Sequence, residues 1–134
     1  MAHEILIVDD EEDIRALIAG ILADEGFDTR QAWDSDSTEE AIESRVPAMV
    51  LLDIWLQGSN QDGIEILKAI RQNHAELPVI MISGHGNIET AVAATRLGAY
   101  DFIEKPFETD RLLLSVSRAM EAARLRRENQ ELRQ

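Results

Sequence analysis

The chain contains no cysteine among its 134 residues. This absence excludes disulfide bonds, thiolate metal sites and a cysteine nucleophile, and it is typical of proteins that work in a reducing compartment. No apolar run approaches the roughly 20 residues that a membrane-spanning helix needs. The first residues, MAHEILIVDDEED, lack the basic segment, long apolar segment and cleavage site of a secretory signal. We therefore expect a cytoplasmic protein without a membrane segment.

Basic residues are scarce, because 13 Lys and Arg stand against 26 Asp and Glu, which gives a net charge of −13. Such a surface repels phosphate backbones, so we do not expect this domain itself to bind DNA or RNA. The imbalance is confined to residues 1–117, which carry 23 acidic and 8 basic side chains. Residues 118–134 carry 3 acidic and 5 basic ones and therefore differ in kind from the rest.

Short apolar runs alternate along the chain with segments of helical periodicity. One helix is expected between the first two strands, since apolar residues recur from Ile14 to Leu22 and Gly26 stops the pattern. Ser35 or Ser37 is the expected cap of the next helix. The predicted strands are 4–8, 27–33, 49–53, 78–83 and 100–105, and the other predicted helices are 35–45, 63–73, 88–98 and 108 to the end.

Five strand–helix units in alternation predict an α/β fold with a parallel sheet covered by helices on both faces. Three of the strands are almost purely apolar, as strands buried on both faces should be. Hydrophobic residues make up 45% of the chain, and 134 residues suffice for one domain with its own core. No Pro-, Gly- or Ser-rich linker divides the sequence.

Polar side chains follow four of the predicted strands at their carboxyl ends, where α/β sheets bind ligands. They are Asp9 and Asp10, Asp53, Ser83 and Lys105. Carboxylates brought together repel one another, and Mg²⁺ relieves that repulsion because it prefers oxygen ligands and commonly sits between carboxylates and a phosphate. An amine and a hydroxyl nearby suit phosphoryl oxygens. The set predicts a carboxylate that accepts a phosphoryl group as an aspartyl phosphate.

Each of these residues also has an ordinary structural interpretation. Asp9 and Asp10 are suited to capping a helix and to its dipole, Ser83 to starting a turn, and Lys105 to a solvated surface. Any one residue alone favours that interpretation. Their joint occurrence at four strand ends favours a functional site.

The sequence resembles the receiver domains of bacterial two-component response regulators. The resemblance covers roughly residues 4–120. It rests on five segments in this order: ILIVDDEEDIR (5–15), VLLDI (50–54), DGIEIL (62–67), PVIMISGHG (78–86) and GAYDFIEKPF (98–107). It implies a (βα)5, flavodoxin-like, doubly wound parallel sheet with the strand order 2-1-3-4-5.

The resemblance also assigns the residues of a metal and phosphoryl site. It implies that Asp53 accepts a phosphoryl group from a sensor histidine kinase and that Asp10 binds Mg²⁺ directly. Asp9 would act directly or through water, and the backbone carbonyl of Trp55 would complete the protein ligands. Such a domain promotes only its own phosphorylation and dephosphorylation, so we do not class it as an enzyme.

Further residues would bind and report the phosphoryl group. Ser83 and Lys105 would bind its oxygens. In this family the hydroxyl residue moves inward and an aromatic side chain on strand 5 follows it, which here is Phe102. Since Phe102 has no hydroxyl, the switch is expected to work by rotation into a vacated space.

Within that family the sequence is most similar to nitrogen-regulatory activators of the NtrC/NtrX type, and the loop DIWLQGS favours NtrX. Residues 1–120 are then the receiver, and 121–134 begin the linker to an ATPase and DNA-binding region that this sequence does not contain. A homodimer through helix 4, strand 5 and helix 5, about residues 87–120, is expected. The remaining alternative is a pseudo-receiver that works through protein contacts without phosphorylation.

Other phosphate-handling folds fit less well. A haloacid-dehalogenase-type phosphatase needs a second Asp where Trp55 stands, and a flavodoxin needs a phosphate loop where DDEED stands. An EF-hand loop starting at Asp9 would have Ile14 in place of its glycine. We also expect Trp55 and His85 to hinder a hydrolytic water, although both are equally suited to a plain surface role.

Overall fold

The computed structural model describes residues 3–84 and 88–132, with side chains up to residue 129. Strands and helices alternate throughout, as the sequence predicts. The strands are β1 (Glu4–Val8), β2 (Asp28–Ala32), β3 (Met49–Asp53), β4 (Val79–Ser83) and β5 (Asp101–Glu104). The helices are α1 (Glu12–Asp24), α2 (Ser35–Ser44), α3 (Gly63–Asn73), α4 (Ile88–Arg96) and α5 (Thr109–Leu132).

The five strands form one parallel sheet in the order β2-β1-β3-β4-β5, which confirms the predicted order. In the register between β3 and β4, Asp53 lies opposite Ile82. Between β4 and β5, Ser83 lies opposite Glu104. The last residues of β3, β4 and β5 therefore lie side by side along one edge, which is the carboxyl end of the sheet.

Alternate residues of each strand point to opposite faces, and the core accordingly has two layers. On one face the strand residues Leu6, Val8, Leu52 and Met81 pack with side chains of α2, α3 and α4. On the other face a second set packs with α1 and α5. The strand and helix residues of that second layer include Ile5, Ile7, Leu51, Ile80, Ile103, Ile18, Leu22, Leu112 and Val116.

The start of α2 corrects the predicted cap. Asp34 is the N-cap, and its carboxylate accepts a hydrogen bond of 2.7 Å from the Ser37 N–H. Ser37 Oγ accepts in return from the Asp34 N–H at 3.1 Å, which makes a reciprocal capping box. Ser37 therefore takes part as the third helical residue, and Ser35 is the first.

A cluster of charges closes the amino end of the sheet. Glu4 in β1 pairs with Arg30 of β2 at 2.7 Å and with Arg45 at the end of α2 at 2.5 Å. Arg30 also donates to the carbonyl oxygens of Ala41 and Arg45. The bond to Arg45 gives a partner to a carbonyl just past the end of α2, whereas the Ala41 carbonyl also accepts from the Arg45 N–H at 3.2 Å.

Helix α5 changes character along its 24 residues. Leu112, Val116 and Ala119 are buried against the sheet, whereas residues 124–129 are all exposed. No helix within the described ranges is long and apolar enough to cross a membrane.

Candidate functional site

The structure brings the side chains that the sequence singled out to the carboxyl end of the sheet. Asp9 follows β1, Asp53 ends β3, Ser83 ends β4 and Lys105 follows β5. The backbone fixes these positions, since the Lys105 N–H donates to the Ser83 carbonyl at 2.8 Å and the Asp9 N–H donates to the Ala32 carbonyl at 3.1 Å.

Three carboxylates converge at this end of the sheet. Asp9, Asp10 and Asp53 each offer a carboxylate oxygen, and these oxygens all lie within 4.8 Å of one another. Asp9 and Asp53 are only 2% and 4% exposed, whereas Asp10 is half-buried. Buried carboxylates at this separation repel one another strongly unless a cation lies between them.

Lys105 is the cation that faces this cluster. Its Nζ lies 2.8 Å from Asp9 Oδ2 and 3.3 Å from Asp53 Oδ2, with 15% of the side chain exposed. Burial disfavours its charge, but the hydrogen bond to Asp9 and the charge of Asp53 outweigh burial and hold the pKa of Lys105 above its usual value. The lysine is therefore a fixed part of the site and not a solvated surface group.

One ammonium does not balance the acids. Burial, and next the charge of Asp9, raise the pKa of Asp53 from 3.8 to about 6, although Lys105 acts in the opposite direction. Asp53 is thus a carboxylate whose ionised form is disfavoured by its surroundings. The site carries surplus negative charge at neutral pH and suits an additional cation.

Ser83 and Phe102 lie beside the acids on β4 and β5. Ser83 is completely buried. Phe102 lies opposite Met81 in the strand register and is half-buried against the core layer that contains α4. A groove of about 940 Å³ borders Phe102, Lys105 and α4.

The segment after β3 closes over the acids. The Trp55 N–H donates to Asp53 Oδ1 at 3.4 Å, and the Gln57 N–H donates to Asp10 Oδ2 at 3.3 Å. Trp55 leaves 49% of its surface exposed, whereas Leu56 is buried. The backbone of this loop is therefore in contact with two of the three carboxylates. His85, named with Trp55 in the sequence, lies outside the described residues.

Two residues at the site were not found by sequence reasoning. A Cβ at Gly63 would lie 2.2 Å from the Asp53 carbonyl oxygen, so only glycine lets α3 start this close to the end of β3. Arg15 donates to the Asp9 carbonyl at 2.8 Å and lies 6.0 Å from the ring of Trp33. The signal for Gly63 was its place directly after Asp62, within the capping box Asp62–Glu65. Arg15 offered no comparable signal.

Comparison with known proteins decides the family. A family model described as the response regulator receiver domain matches residues 5–117. The chain belongs to the response regulator receiver domain family. The family and the fold inferred from the sequence motifs are thereby confirmed.

Individual relatives of this receiver domain support an NtrX-type assignment. The chain is 61% identical over 134 residues to the nitrogen assimilation regulatory protein NtrX of Azorhizobium caulinodans, and it spans 30% of that protein's length. The crystal structure of the receiver domain of NtrX from Brucella abortus matches 87% of this chain and 98% of that one at 65% identity, with a TM-score of 0.85.

A third relative is a receiver domain solved in an activated form. It is the solution structure of the beryllofluoride-activated NtrC4 receiver domain dimer, which is 37% identical. It covers 90% of this chain and 98% of that one, with a TM-score of 0.84. The two NtrX relatives identify this chain as a receiver domain of the NtrX type.

Proposed function

We propose that this receiver accepts a phosphoryl group from a sensor histidine kinase onto Asp53 in a Mg²⁺-dependent reaction. The observation that carries the proposal is the uncompensated charge at the carboxyl end of the sheet. Among the described residues, Lys105 is the one cation paired with this cluster of Asp9, Asp10 and Asp53, and it contacts Asp9 and Asp53. The pKa of Asp53 is raised to about 6. A site built in this way gains most from a divalent cation.

The donors at the site fit Mg²⁺. All the carboxylate ligand atoms are oxygens, and they lie within 4.8 Å of one another. Mg²⁺ is a small, hard cation that takes oxygen ligands and is usually bound through one or two carboxylates. Asp9, Asp10 and Asp53 would hold the ion together with the backbone carbonyl of Trp55. Bound there, Mg²⁺ would neutralise negative charge on an incoming phosphoryl group.

Asp53 is the nucleophile in this proposal. One of its carboxylate oxygens forms a bond to phosphorus while the bond from phosphorus to the histidine nitrogen of the kinase breaks, and the electron pair stays with the imidazole. Lys105 already lies 3.3 Å from Asp53 and would turn its ammonium to the phosphoryl oxygens. Ser83, buried at the end of the neighbouring strand, would donate its hydroxyl to another of those oxygens.

Phosphorylation would be read out through Ser83 and Phe102. Since Phe102 borders the groove beside α4, it has space into which its ring can rotate. The face formed by α4, β5 and α5 exposes Ile88, Val92 and Leu114 at 82%, 42% and 48%. Apolar exposure of this kind suits a homodimer, and the NtrC4 receiver solved with beryllofluoride is a dimer.

The relatives suggest the wider setting. We propose that residues 1–120 form the receiver and that 121–134 begin the linker to ATPase and DNA-binding domains of a cytoplasmic regulator of nitrogen genes. The receiver itself would bind the kinase and a second receiver, but neither DNA nor a membrane. The length of the NtrX relative beyond the matched 30% supports this arrangement.

The test is to incubate the chain with acetyl phosphate and Mg²⁺ and to measure the mass of the intact protein by mass spectrometry. One phosphoryl group should be added per chain, and none in the presence of EDTA. Asp53→Asn should abolish the gain, whereas Asp13→Asn, on the exposed face of α1, should retain it. Failure of the wild-type chain to gain mass would favour the pseudo-receiver. Sizing of the beryllofluoride-treated chain would test the dimer.

A further inference from the structure

We propose that Ser59 is a positioning residue for the magnesium site, although it lies outside the acidic cluster. This inference rests on the proposed function, because it assigns a role in holding Mg²⁺. Ser59 belongs to the loop between β3 and α3, residues 54–62, which is called the acceptor loop below. The loop runs from Asp53 past Asp10 and reaches α2.

Ser59 fastens the acceptor loop to α2. Its Oγ accepts a hydrogen bond of 2.8 Å from the backbone N–H of Ser35, the first residue of that helix. The same Oγ donates to the Gln61 carbonyl at 2.6 Å. The Ser35 N–H has no partner within its helix, as is true of every first-turn N–H, and here the Ser59 hydroxyl satisfies it. A second hydrogen bond described between the loop and α2 is longer, at 3.5 Å from Asn60 Nδ2 to Asp36 Oδ2.

The other end of the same short segment lies in the site. Two residues before Ser59, the Gln57 N–H donates to Asp10 Oδ2 at 3.3 Å. Two residues earlier still, the Trp55 N–H donates to Asp53 Oδ1 at 3.4 Å. Leu56, between these two residues, is buried, and Gly58, between Gln57 and Ser59, adopts a φ of +76°. The hydroxyl of Ser59 is thus two residues along the chain from the Gln57 N–H and four from the Trp55 N–H, which face the carboxylates.

Holding this segment at both ends has a direct consequence for the metal. The bonds from Gln57 and Trp55 are near the long limit for hydrogen bonds, so they fix the loop weakly by themselves. Ile54 and Leu56 are anchored by burial, and Ile54 also by backbone bonds of 3.0 Å to Ile82 and 2.7 Å to Gly63. Beyond Leu56 the 2.8 Å bond to α2 is a firmer attachment than either long bond, and without it the Gln57 contact to Asp10 and the neighbouring Trp55 carbonyl would be held less precisely. Ser59 carries no charge, so its influence on the ion can only be geometric.

The test is a titration with Mg²⁺ alone. Binding is monitored by the fluorescence of Trp55 in a Trp33→Phe background. Ser59→Ala removes the acceptor, and Ser35→Pro removes the donor N–H while leaving Ser59 intact. Proline is well tolerated at a first helical position, and Asp34 before it is already extended, with φ −154° and ψ −177°. Both variants should bind Mg²⁺ about tenfold more weakly.

Matched controls separate positioning from a general loss of structure. Ser59→Thr keeps the hydroxyl and Ser35→Ala keeps the N–H, so both should bind Mg²⁺ like the parent chain. Urea unfolding in EDTA measures stability separately, and a purely structural role for Ser59 would lower it without changing the Mg²⁺ affinity of the folded protein. Equal Mg²⁺ affinity in the parent, Ser59→Ala and Ser35→Pro chains would overturn this inference alone. A parent chain that does not respond to Mg²⁺ would instead overturn the proposed function.

Discussion

The two ends of one sheet carry charged clusters of opposite balance. At the amino end a single carboxylate, Glu4, meets two guanidinium groups, those of Arg30 and Arg45. At the carboxyl end a single ammonium, Lys105, pairs with two carboxylates, and Asp10 adds a third. Both clusters belong to one sheet and share β1, but the first joins it to β2 and the second to the ends of β3 and β5. The clusters therefore differ above all in their balance of charge.

The pKa values report the contrast. The hydrogen bond from Arg45 is the largest influence on Glu4, and together with Arg30 it holds the pKa of Glu4 below its usual value despite burial. Burial and the charge of Asp9 raise the pKa of Asp53 to about 6. Ionisation therefore stabilises the fold at the amino end and costs free energy at the carboxyl end. The charge at the carboxyl end is useful only when a ligand compensates it.

The largest expected effect comes from disturbing the carboxyl end without changing any charge. Gly63→Ala would bring a Cβ within 2.2 Å of the Asp53 carbonyl oxygen and 2.6 Å of Ile54 Cα, and backbone cannot yield as a side chain can. We expect the free energy of unfolding to fall by about 3 kcal/mol or more in urea denaturation. Gly20→Ala, which meets nothing within 4 Å, is the control and should not destabilise the protein. Equal stability of both variants would contradict the close approach of α3 to β3.

The second-largest expected effect is a gain in stability. Asp53→Asn keeps the shape and an acceptor for Lys105 but removes a buried charge. In metal-free buffer near pH 7 we expect a gain of about 2 kcal/mol in the free energy of unfolding. Adding Mg²⁺ should narrow the gap, because the ion binds and stabilises the wild-type chain more than the variant. A loss of stability on this substitution would mean that Lys105 already balances the cluster.

The same pair of proteins carries a pH signature. The folded pKa of Asp53, about 6, lies above its ordinary 3.8. Asp53 therefore does not lower the free energy of unfolding when it is protonated in both the folded and unfolded states. The loss of stability that it causes grows as the pH rises between these two pKa values. The advantage of Asp53→Asn should be absent below about pH 4 and complete above about pH 7.

The smallest effect is expected at the amino end. Glu4→Gln removes the charge that both arginines face, and we expect a loss of about 1 kcal/mol near pH 7, reduced by salt because Arg45 is largely exposed. The folded pKa of Glu4 lies below 4.5, so this loss should fade as the pH falls through and below that value. Glu39→Gln, on the exposed side of α2, is the control. If Glu4→Gln and Asp53→Asn shift stability in the same direction, the contrast between the two ends is wrong.

The fold was largely predictable because buried parallel strands consist of short apolar runs in the sequence. The predicted limits of β3 and α3 match the structure, and those of β2 and β5 differ by one residue at each end. The predicted cap of α2 was wrong because Ser35 and Ser37 are also common cap residues. The cap is Asp34, whose carboxylate accepts the hydrogen bond from the Ser37 N–H. Composition alone does not decide between neighbouring cap residues, since several of them have suitable oxygens.

The site was predictable as far as strand ends determine it. Asp9, Asp53, Ser83 and Lys105 follow directly from the rule that parallel strands present their carboxyl ends together. The acceptor loop was not predictable, because its course depends on contacts between distant parts of the chain, such as Ser59 with Ser35 and Gln57 with Asp10. Loop conformations of this kind have no periodicity from which they could be inferred.

The length of α5 has a geometric consequence. With a rise of about 1.5 Å per residue, its 24 residues span about 36 Å, and the exposed turns after Ala123 continue the helix axis that the buried turns determine. Anything attached to the end of α5 inherits the rotation of the helix about its axis. Inserting one residue after Ala123 would swing the attachment by about 100°, whereas inserting seven would return it to within about 20°. The helix therefore transmits orientation as well as distance.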